Sequence, residues 1–486
     1  MITTALLFFP LVVGLLLFLL KGETVKKVAL GASIVEFLLG VVAFVNFNKG
    51  NGLPQYELNI PWIKSLGINF HIGMDGISLL LVGLTTFLLP LIILAANRNS
   101  YKNTTNLYAL MLLMQFGLIG VFTAQDAFLF YIFWEVALIP VYFIALLWGG
   151  EQKVKITFKF FIYTLAGSLL MLVGLIFVYF QTPAPHSFSL TSLYELELTN
   201  GTQSWLFWLF FFAFAIKMPV FPFHSWLADT YTDAPTPGTM LLSGIMSKMG
   251  VYGAIRLLLP IVPQGMMEWG PLAITLAIIG VLYASLMAMY QKDYKRLIAY
   301  SSAAHVGLIA AGVFSLTHNG MVGGVIQMVA HGISAFGLFY VVDILVNRTG
   351  SRDLDKLGGI RVVAPNYATA FLIILLASIA LPLTSGFVGE FLLMAGIYEY
   401  NGWLAFFGGL TTILGAVYML KSYQKAVLGD KTEISDKFHD LVLQEKIILI
   451  PVILAIFILG VYPKPFIEIA EPAVKNLFSL MSITIK

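Results

Sequence analysis

Apolar stretches of about 20 residues recur along almost the whole chain, and each is long enough for a helix to cross a hydrocarbon core of about 30 Å. This feature constrains the fold more than any motif. Inside a bilayer every backbone N–H and C=O must be satisfied within the protein, which leaves helices or closed barrels, and apolar runs of this length are helical. The runs predict spans over 1–20, 28–47, 77–97, 107–124, 127–149, 160–180, 205–229, 236–259, 271–290, 297–316, 320–346, 367–400, 402–425 and 446–462. A loop rich in Gly, Asn and Pro follows the second. The expected fold class is an all-α polytopic membrane protein with about 14 transmembrane helices, forming a single integral membrane domain over 1–486. The first stretch carries no basic leader and no small-residue cleavage motif, so it is expected to be a retained span.

Charge supports this topology. Only 11% of the 486 residues are charged, against about 25% in soluble domains, and the basic ones are unevenly placed. Twenty Lys and Arg residues fall in one set of alternating loops, among them Lys21, Arg98, Lys153, Lys292, Arg348, Lys425 and Lys437. Only five, Lys49, Lys64, Lys464, Lys475 and Lys486, fall in the other set. The positive-inside rule makes the first set cytoplasmic and puts both termini on the outer side. A net charge of +3, distributed in this way, gives no reason to expect nucleic-acid binding.

Two spans are interrupted. The seventh contains AIKMPVFPFHSWL, with Pro219 and Pro222, and the twelfth contains IALPLTSGFVGEF, with Pro382, Gly386 and Gly389. Proline removes a backbone donor and clashes with the preceding turn, so broken helices are expected at both places. Such backbone is tolerated at membrane depth only against protein or a water-filled cavity. Breaks five spans apart suggest an inverted repeat, about 107–260 answering about 271–425.

Three cations remain inside spans: Lys217, Lys248 and Arg256. A charge at the bilayer centre costs about 2.5–3.5 kcal/mol on insertion scales, so such residues are functional or paired. Desolvation works against the ammonium form, and a membrane-buried lysine can exchange a proton near neutral pH where an exposed one does so poorly. Lys217 and Lys248 are therefore either proton carriers or halves of static ion pairs. Arg256 cannot usefully deprotonate, and a structural role is favoured for it. Glu135, in FWEVALIPVYF, is the natural partner for a lysine: a close carboxylate favours the ammonium and its withdrawal releases the proton. His305 and His331 stand mid-span among small residues, either as relays or as hydrogen-bonded structure. His224 follows the first break, where it could line the cytoplasmic entrance. Glu390 sits in the second break, opposite Lys217 in the proposed repeat. Asp229 and Asp233 lie at a helix end, where capping is at least as good a reason for an acid as chemistry.

The sequence also narrows the chemistry. There are no cysteines, which excludes thiolate zinc and iron–sulfur ligation on this chain. Neither G-x-G-x-x-G nor G-x-x-x-x-G-K-[ST] occurs, and no His pair has metal-site spacing.

The segments FWEVALIPVYF, FAIKMPVFPFHSWL, APTPGTMLLSGIMSKMGVYGAIR, KRLIAYSSAAHVG, QMVAHGISAFGLF and SGFVGEF, in this order, resemble the subunit M or chain 4 family of proton-pumping subunits of NADH:quinone oxidoreductase, respiratory complex I. The resemblance spans nearly the whole chain. It implies 14 helices, two inverted five-helix repeats and broken seventh and twelfth helices. It makes Glu135 and Lys217 a coupled pair, Lys248 the central relay, His305 and His331 connecting residues, and Glu390 the carrier of the outer half. It also implies no cofactor on this chain, with NADH, FMN, iron–sulfur clusters and quinone in partner subunits. The implied partners are other membrane-arm subunits, including paralogous antiporter-like ones, in a bacterial inner membrane. The rival is an Mrp-type cation/proton antiporter subunit. Such relatives usually carry lysine where Glu390 stands, which argues against it, and the row of mid-membrane titratable groups argues against a passive scaffold. The family commonly reads HTWLPDAH-x-x-APT where this chain has HSWLADTYTDAPT. Ala228 and Tyr231 replace the proline and the second histidine, so an uptake role for that histidine does not carry over.

Overall fold

The computed structural model describes residues 1–433, 435 and 438–484 and is mostly helical. Lys437 and Lys486, counted in the charge asymmetry, lie outside the described residues. Among the described residues, ten helices are long and apolar enough to cross a membrane. They are Glu23–Val45, Gly76–Ala96, Thr104–Thr123, Ala127–Trp148, Lys153–Gln181, Pro263–Met289, Tyr294–Phe314, His318–Thr349, Gly402–Val427 and Leu443–Val461. Most begin or end within a few residues of an apolar run. Lys153–Gln181 starts a turn or two earlier than the run, because lysines 153, 155 and 159 can lay their stems along the helix and keep their heads at the interface.

Polar residues just outside the apolar runs start several of these helices. Asp75 accepts from Ser78 N–H, Asp126 from the N–H groups of Phe128 and Leu129, Asp293 from Arg296 N–H and Thr317 from Gly320 N–H. Each satisfies first-turn donors that have no intrahelical partner.

The remaining apolar runs are less regular. The first is a 16-residue helix, Ile2–Leu17. Residues 236–261 are helical throughout, with π turns at Leu242–Met246 and Ala254–Leu258. The helix Asn200–Lys217 stops before Pro219 and helical structure resumes at Leu227–Asp233. The indole of Trp226 donates to the freed Ile216 carbonyl at 2.9 Å. Pro365–Ser378 likewise stops, and Ser385–Tyr400 begins beyond a turn in which Ala380 and Leu383 have positive φ.

Two findings correct the sequence reading. The chain is not purely α-helical: the loop after Val45 contains an antiparallel hairpin, Gln55–Ile63 paired with Ile68–Met74 and turned at left-handed Gly67. Its Gly, Asn and Pro content masked two short strands. The sequence reading also ended its last span at 462, whereas Lys464–Thr484 forms a further helix. Its charges lower its mean hydropathy, but Ile469, Ala470, Ala473, Val474 and Leu477 form one buried face at helical spacing. That helix packs on Gly76–Ala96 and His318–Thr349, and Gly76 fits because a Cβ there would collide with the Ile469 carbonyl.

Of these ten helices the most buried are Tyr294–Phe314 and His318–Thr349, enclosed on all sides by the others. At one end of the bundle the basic loops meet. Arg98 and Arg348 both pair with buried Glu445, at 2.8 and 2.6 Å. Lys425 and Lys292 bracket Asp355 and hold its carboxyl down at about 2. The hairpin lies at the other end, where Asn69 N–H donates to the Asp126 carboxylate.

Candidate functional site

Four titratable side chains from four different helices meet in the interior. Lys248 comes from the π-interrupted helix, His305 from Tyr294–Phe314, His331 from His318–Thr349 and Glu390 from Ser385–Tyr400. None is more than 6% exposed. Lys248 Nζ donates to the Ser243 carbonyl at 2.5 Å and to Ser247 Oγ at 3.2 Å, and lies 2.8 Å from His331 Nδ1. A lysine ammonium has three donors and no acceptor, so these three contacts saturate it. With His331 accepting at Nδ1, the imidazole keeps its own proton on Nε2. In the alternative arrangement the amine lone pair accepts from Nδ1–H, so the same contact holds the proton on either side.

The His331 and His305 ring centroids are 5.7 Å apart. His305 Nδ1 lies 3.0 Å from Glu390 Oε1, but the ring is off the axis of a well-formed hydrogen bond. The contact is close but loosely oriented, and it is an ion pair only when the imidazole carries its second proton. Gln327 Nε2 donates to the same carboxylate oxygen at 3.3 Å. Beside the row lies a small pocket lined by Ser301, Ser302, Gln327, Ser334, Ser378 and Gly386. Ile298, Leu338 and Ala377 line it too, and Ser302 Oγ and Ser334 Oγ are buried there without a partner.

Lys217 and Glu135 stand apart from this row. Lys217 ends its helix, 2% exposed, with Nζ unpaired by any hydrogen bond. It lies 5.4 Å from the centre of the Trp134 ring, within cation–π range. Glu135, the next residue after that tryptophan, has Oε1 buried and likewise unpaired. The structure thus holds the two ends of the expected pair on neighbouring elements, with the ammonium over the ring and not on the carboxylate.

Arg256 pairs with Asp75 and donates to Ser78 Oγ at 3.2 Å. The ring of His224 lies against Phe221 and Tyr283 and faces the Pro222 backbone carbonyl. Asp229 pairs with Lys159 and Arg296 at 3.2 and 2.9 Å, and Asp233 accepts from Gly150 N–H. These two acids tie loops together at the basic end. Tyr231, one of the departures from the common motif, is buried against Trp226 and Phe339 with its hydroxyl facing Ser247.

Gln327 and Trp134 were not singled out from sequence. Gln327 was findable, since it precedes His331 by four residues and so shares its helix face. Trp134 carried no signal beyond standing next to Glu135.

Known proteins resemble this chain over nearly its whole length. The family described as NADH:quinone oxidoreductase/Mrp antiporter, TM matches residues 124–415. NADH-quinone oxidoreductase subunit M of Rickettsia prowazekii is 40% identical, covering 97% of each chain. NADH-ubiquinone oxidoreductase chain 4 of Arabidopsis thaliana is 37% identical over 93% of this chain and 91% of that one. A chain of respiratory complex I from Thermus thermophilus superposes with a TM-score of 0.91 at 32% identity, covering 99% of this chain and 100% of that one. The chain belongs to the NADH:quinone oxidoreductase/Mrp antiporter transmembrane family, on its subunit M and chain 4 branch.

Proposed function

We propose that this chain is a proton-translocating membrane-arm subunit of an NADH:quinone oxidoreductase. The observation that carries the reading is the buried row Lys248–His331–His305–Glu390, with its contacts of 2.8 and 3.0 Å at either end. An insulated row of exchangeable groups conducts protons and little else. A proton on Lys248 Nζ passes to His331 Nδ1, and His331 releases its other proton from Nε2 towards His305. His305 Nδ1 then protonates Glu390 Oε1. Glu390 is the outer carrier. Lys217 and Glu135 form the loading switch: swinging the ammonium from the Trp134 face to the carboxylate would stabilise the charge, and the return would discharge it.

Redox chemistry belongs to partner subunits, where NADH, FMN, iron–sulfur clusters and quinone are expected. Moving one charge against 100 mV takes about 2.3 kcal/mol, so the drive from those centres must arrive as a conformational or electrostatic change. The helical segments on either side of the interruptions at 218–226 and 379–384 serve as halves of a broken seventh and a broken twelfth span. This gives about 14 spans, with about 107–260 and about 271–425 as inverted repeats. The basic end faces the cytoplasm of a bacterial cell, and both termini face out.

The Mrp-type antiporter reading is weaker. The compared relatives at 37–40% identity bear NADH oxidoreductase names, and a glutamate stands at 390. Lys217→Ala should assemble yet abolish proton uptake by inverted vesicles and depress coupled NADH oxidation. Lys217→Arg should not restore uptake, because arginine keeps its proton. Normal uptake by an assembled Lys217→Ala complex would remove the carrier role. Copurification in mild detergent with Mrp-type partners, and not with flavin and iron–sulfur subunits, would overturn the assignment.

A further inference from the structure

We propose that protons reach Lys248 from the basic end of the molecule through Asp343, along a water file that follows the hydroxyls of Thr236, Thr239, Ser243 and Ser247. The inference rests on the relay role proposed above for Lys248.

Asp343 is 8% exposed, near the basic end of His318–Thr349. Its carboxylate accepts from Thr236 Oγ1 at 2.6 Å and from Asn347 Nδ2 at 3.0 Å. It lines an open vestibule of about 490 Å³, together with Asn99, Thr236, Lys295, Asn347 and Arg352. Lys295 Nζ is itself buried and donates to the Ala234 carbonyl at 2.5 Å. The vestibule is thus open and polar on one part of its wall, where a buried acid stands.

Two contacts set the distance from this acid to the relay. Thr236 touches Asp343, and Lys248 touches His331. The partners are twelve residues apart on both helices, since 248 − 236 and 343 − 331 are each 12. The two helices therefore run antiparallel in register for about 18 Å, at 1.5 Å per residue. Between the contacts they touch at Gly244 and Gly332, where a Cβ on Gly332 would lie 2.7 Å from the Gly244 carbonyl oxygen. A water file cannot pass through that contact and must follow one flank.

The hydroxyls mark the flank. Spacings of three, four and four put Thr236, Thr239, Ser243 and Ser247 on one helix face. Thr239, Ser243 and Ser247 donate to the carbonyls of Tyr231, Thr239 and Ser243 at 2.9, 2.8 and 3.0 Å. Their donors are spent, while their oxygen lone pairs remain able to accept from water. The stripe ends on Lys248 itself, whose Nζ donates to Ser247 Oγ and the Ser243 carbonyl. Independently, Ser334 Oγ is buried without a partner, whereas Tyr231 Oη faces Ser247 and Tyr340 Oη faces Arg98. An orphaned buried hydroxyl is uncommon and calls for a partner, which a hydrated file supplies. A π turn at Leu242–Met246 interrupts the helix beside the stripe, a distortion frequent at functional sites.

The step balances simply. Asp343 carboxylate takes a proton from the vestibule and passes it to the first water of the file. Each water accepts one proton and yields another, and the last transfers to the lone pair of the neutral Lys248 amine. Asp343 ends as it began, and Lys248 becomes the ammonium that faces His331.

The test uses the whole complex in inverted membrane vesicles, reading proton uptake and NADH oxidation. Asp343→Asn should slow uptake by about tenfold or more, the scale of a lost positioned proton carrier, and Asp343→Glu should retain most of it. Formate, a small weak acid, should restore uptake in Asp343→Asn, which it would not do for a packing defect. Thr239→Val keeps shape and removes only a hydroxyl, and it should slow uptake several-fold. Thr239→Val decides the matter if Asp343→Asn fails to assemble. Unchanged uptake in assembled Asp343→Asn, or a slow Asp343→Asn that formate leaves slow, would overturn the inference, as would unchanged uptake in Thr239→Val. Lys248→Ala separates the two levels: normal uptake there refutes the relay, whereas its loss alongside normal uptake in Asp343→Asn refutes only the path.

Discussion

Removing the Asp75 carboxylate should destabilise the chain more than its place in a short connection suggests. Asp75 does two things at once. It caps the helix Gly76–Ala96 by accepting from Ser78 N–H at 3.0 Å, and it neutralises the Arg256 guanidinium, which lies over the Tyr252 ring. Its side chain is 4% exposed and that of Arg256 12% exposed. Breaking a buried ion pair from one side costs about 3–5 kcal/mol, because the partner is left charged and uncompensated. Losing an N-cap costs about 1 kcal/mol more. Asp75→Ala should therefore cost about 4–6 kcal/mol. Asp75→Asn keeps the cap and should cost about 3–5 kcal/mol. The double variant Asp75→Asn with Arg256→Met leaves no buried charge, so it should regain most of the loss, since apolar replacement of such pairs is often neutral. The assay is SDS-driven unfolding of the detergent-solubilised chain, followed by the fluorescence of its eight tryptophans. A cost below about 1 kcal/mol for Asp75→Asn, or a double variant no better than the sum of the singles, would refute the reasoning: the pair would then be worth no more than an exposed one.

Where the sequence was informative and where it was not has a physical division. Transfer of apolar side chains out of water is additive along the chain, so most spans are visible in local sums. Pro219 and Pro382 mark the interruptions because proline acts on its own turn. Lys464–Thr484 escaped because its signal is in the period of Ile469, Ala473, Val474 and Leu477 and not in its mean hydropathy. The hairpin escaped because Gly67 and Pro61 read as loop until Gln55–Ile63 and Ile68–Met74 are seen paired. In the site, the identities of Lys248, His305, His331 and Glu390 were legible from the cost of placing such groups in a membrane. Their order was not. Contacts of 2.8 and 3.0 Å between residues on four helices depend on tertiary packing, which no local pattern encodes. The same limit explains Asp343: near a span end it looks like an ordinary interfacial acid, and only its contact with Thr236 reveals the register that leads to Lys248. Glu135 and Lys217 show the same limit, since complementary charge pairs them without fixing their contact, and the ammonium lies over Trp134.

Two further predictions concern the proposed carriers. Glu135→Gln keeps size and removes the anion, so the returning Lys217 ammonium would find no carboxylate; proton uptake in vesicles should fall strongly, with partial activity for Glu135→Asp, and wild-type uptake by the Gln variant would make Glu135 structural. Glu390 is the stricter case, because His305 Nδ1 and Gln327 Nε2 both address the same oxygen of its carboxylate. Glu390→Gln can still hydrogen-bond Gln327 and fill the space, but it cannot bind and release a proton, so proton uptake per NADH oxidised should be lost while assembly persists. Glu390→Asp should retain part of it, and Glu390→Lys some, because lysine also exchanges protons when buried. If the Gln variant pumps like wild type, the row ends at His305 and the outward path does not run through the helix Ser385–Tyr400.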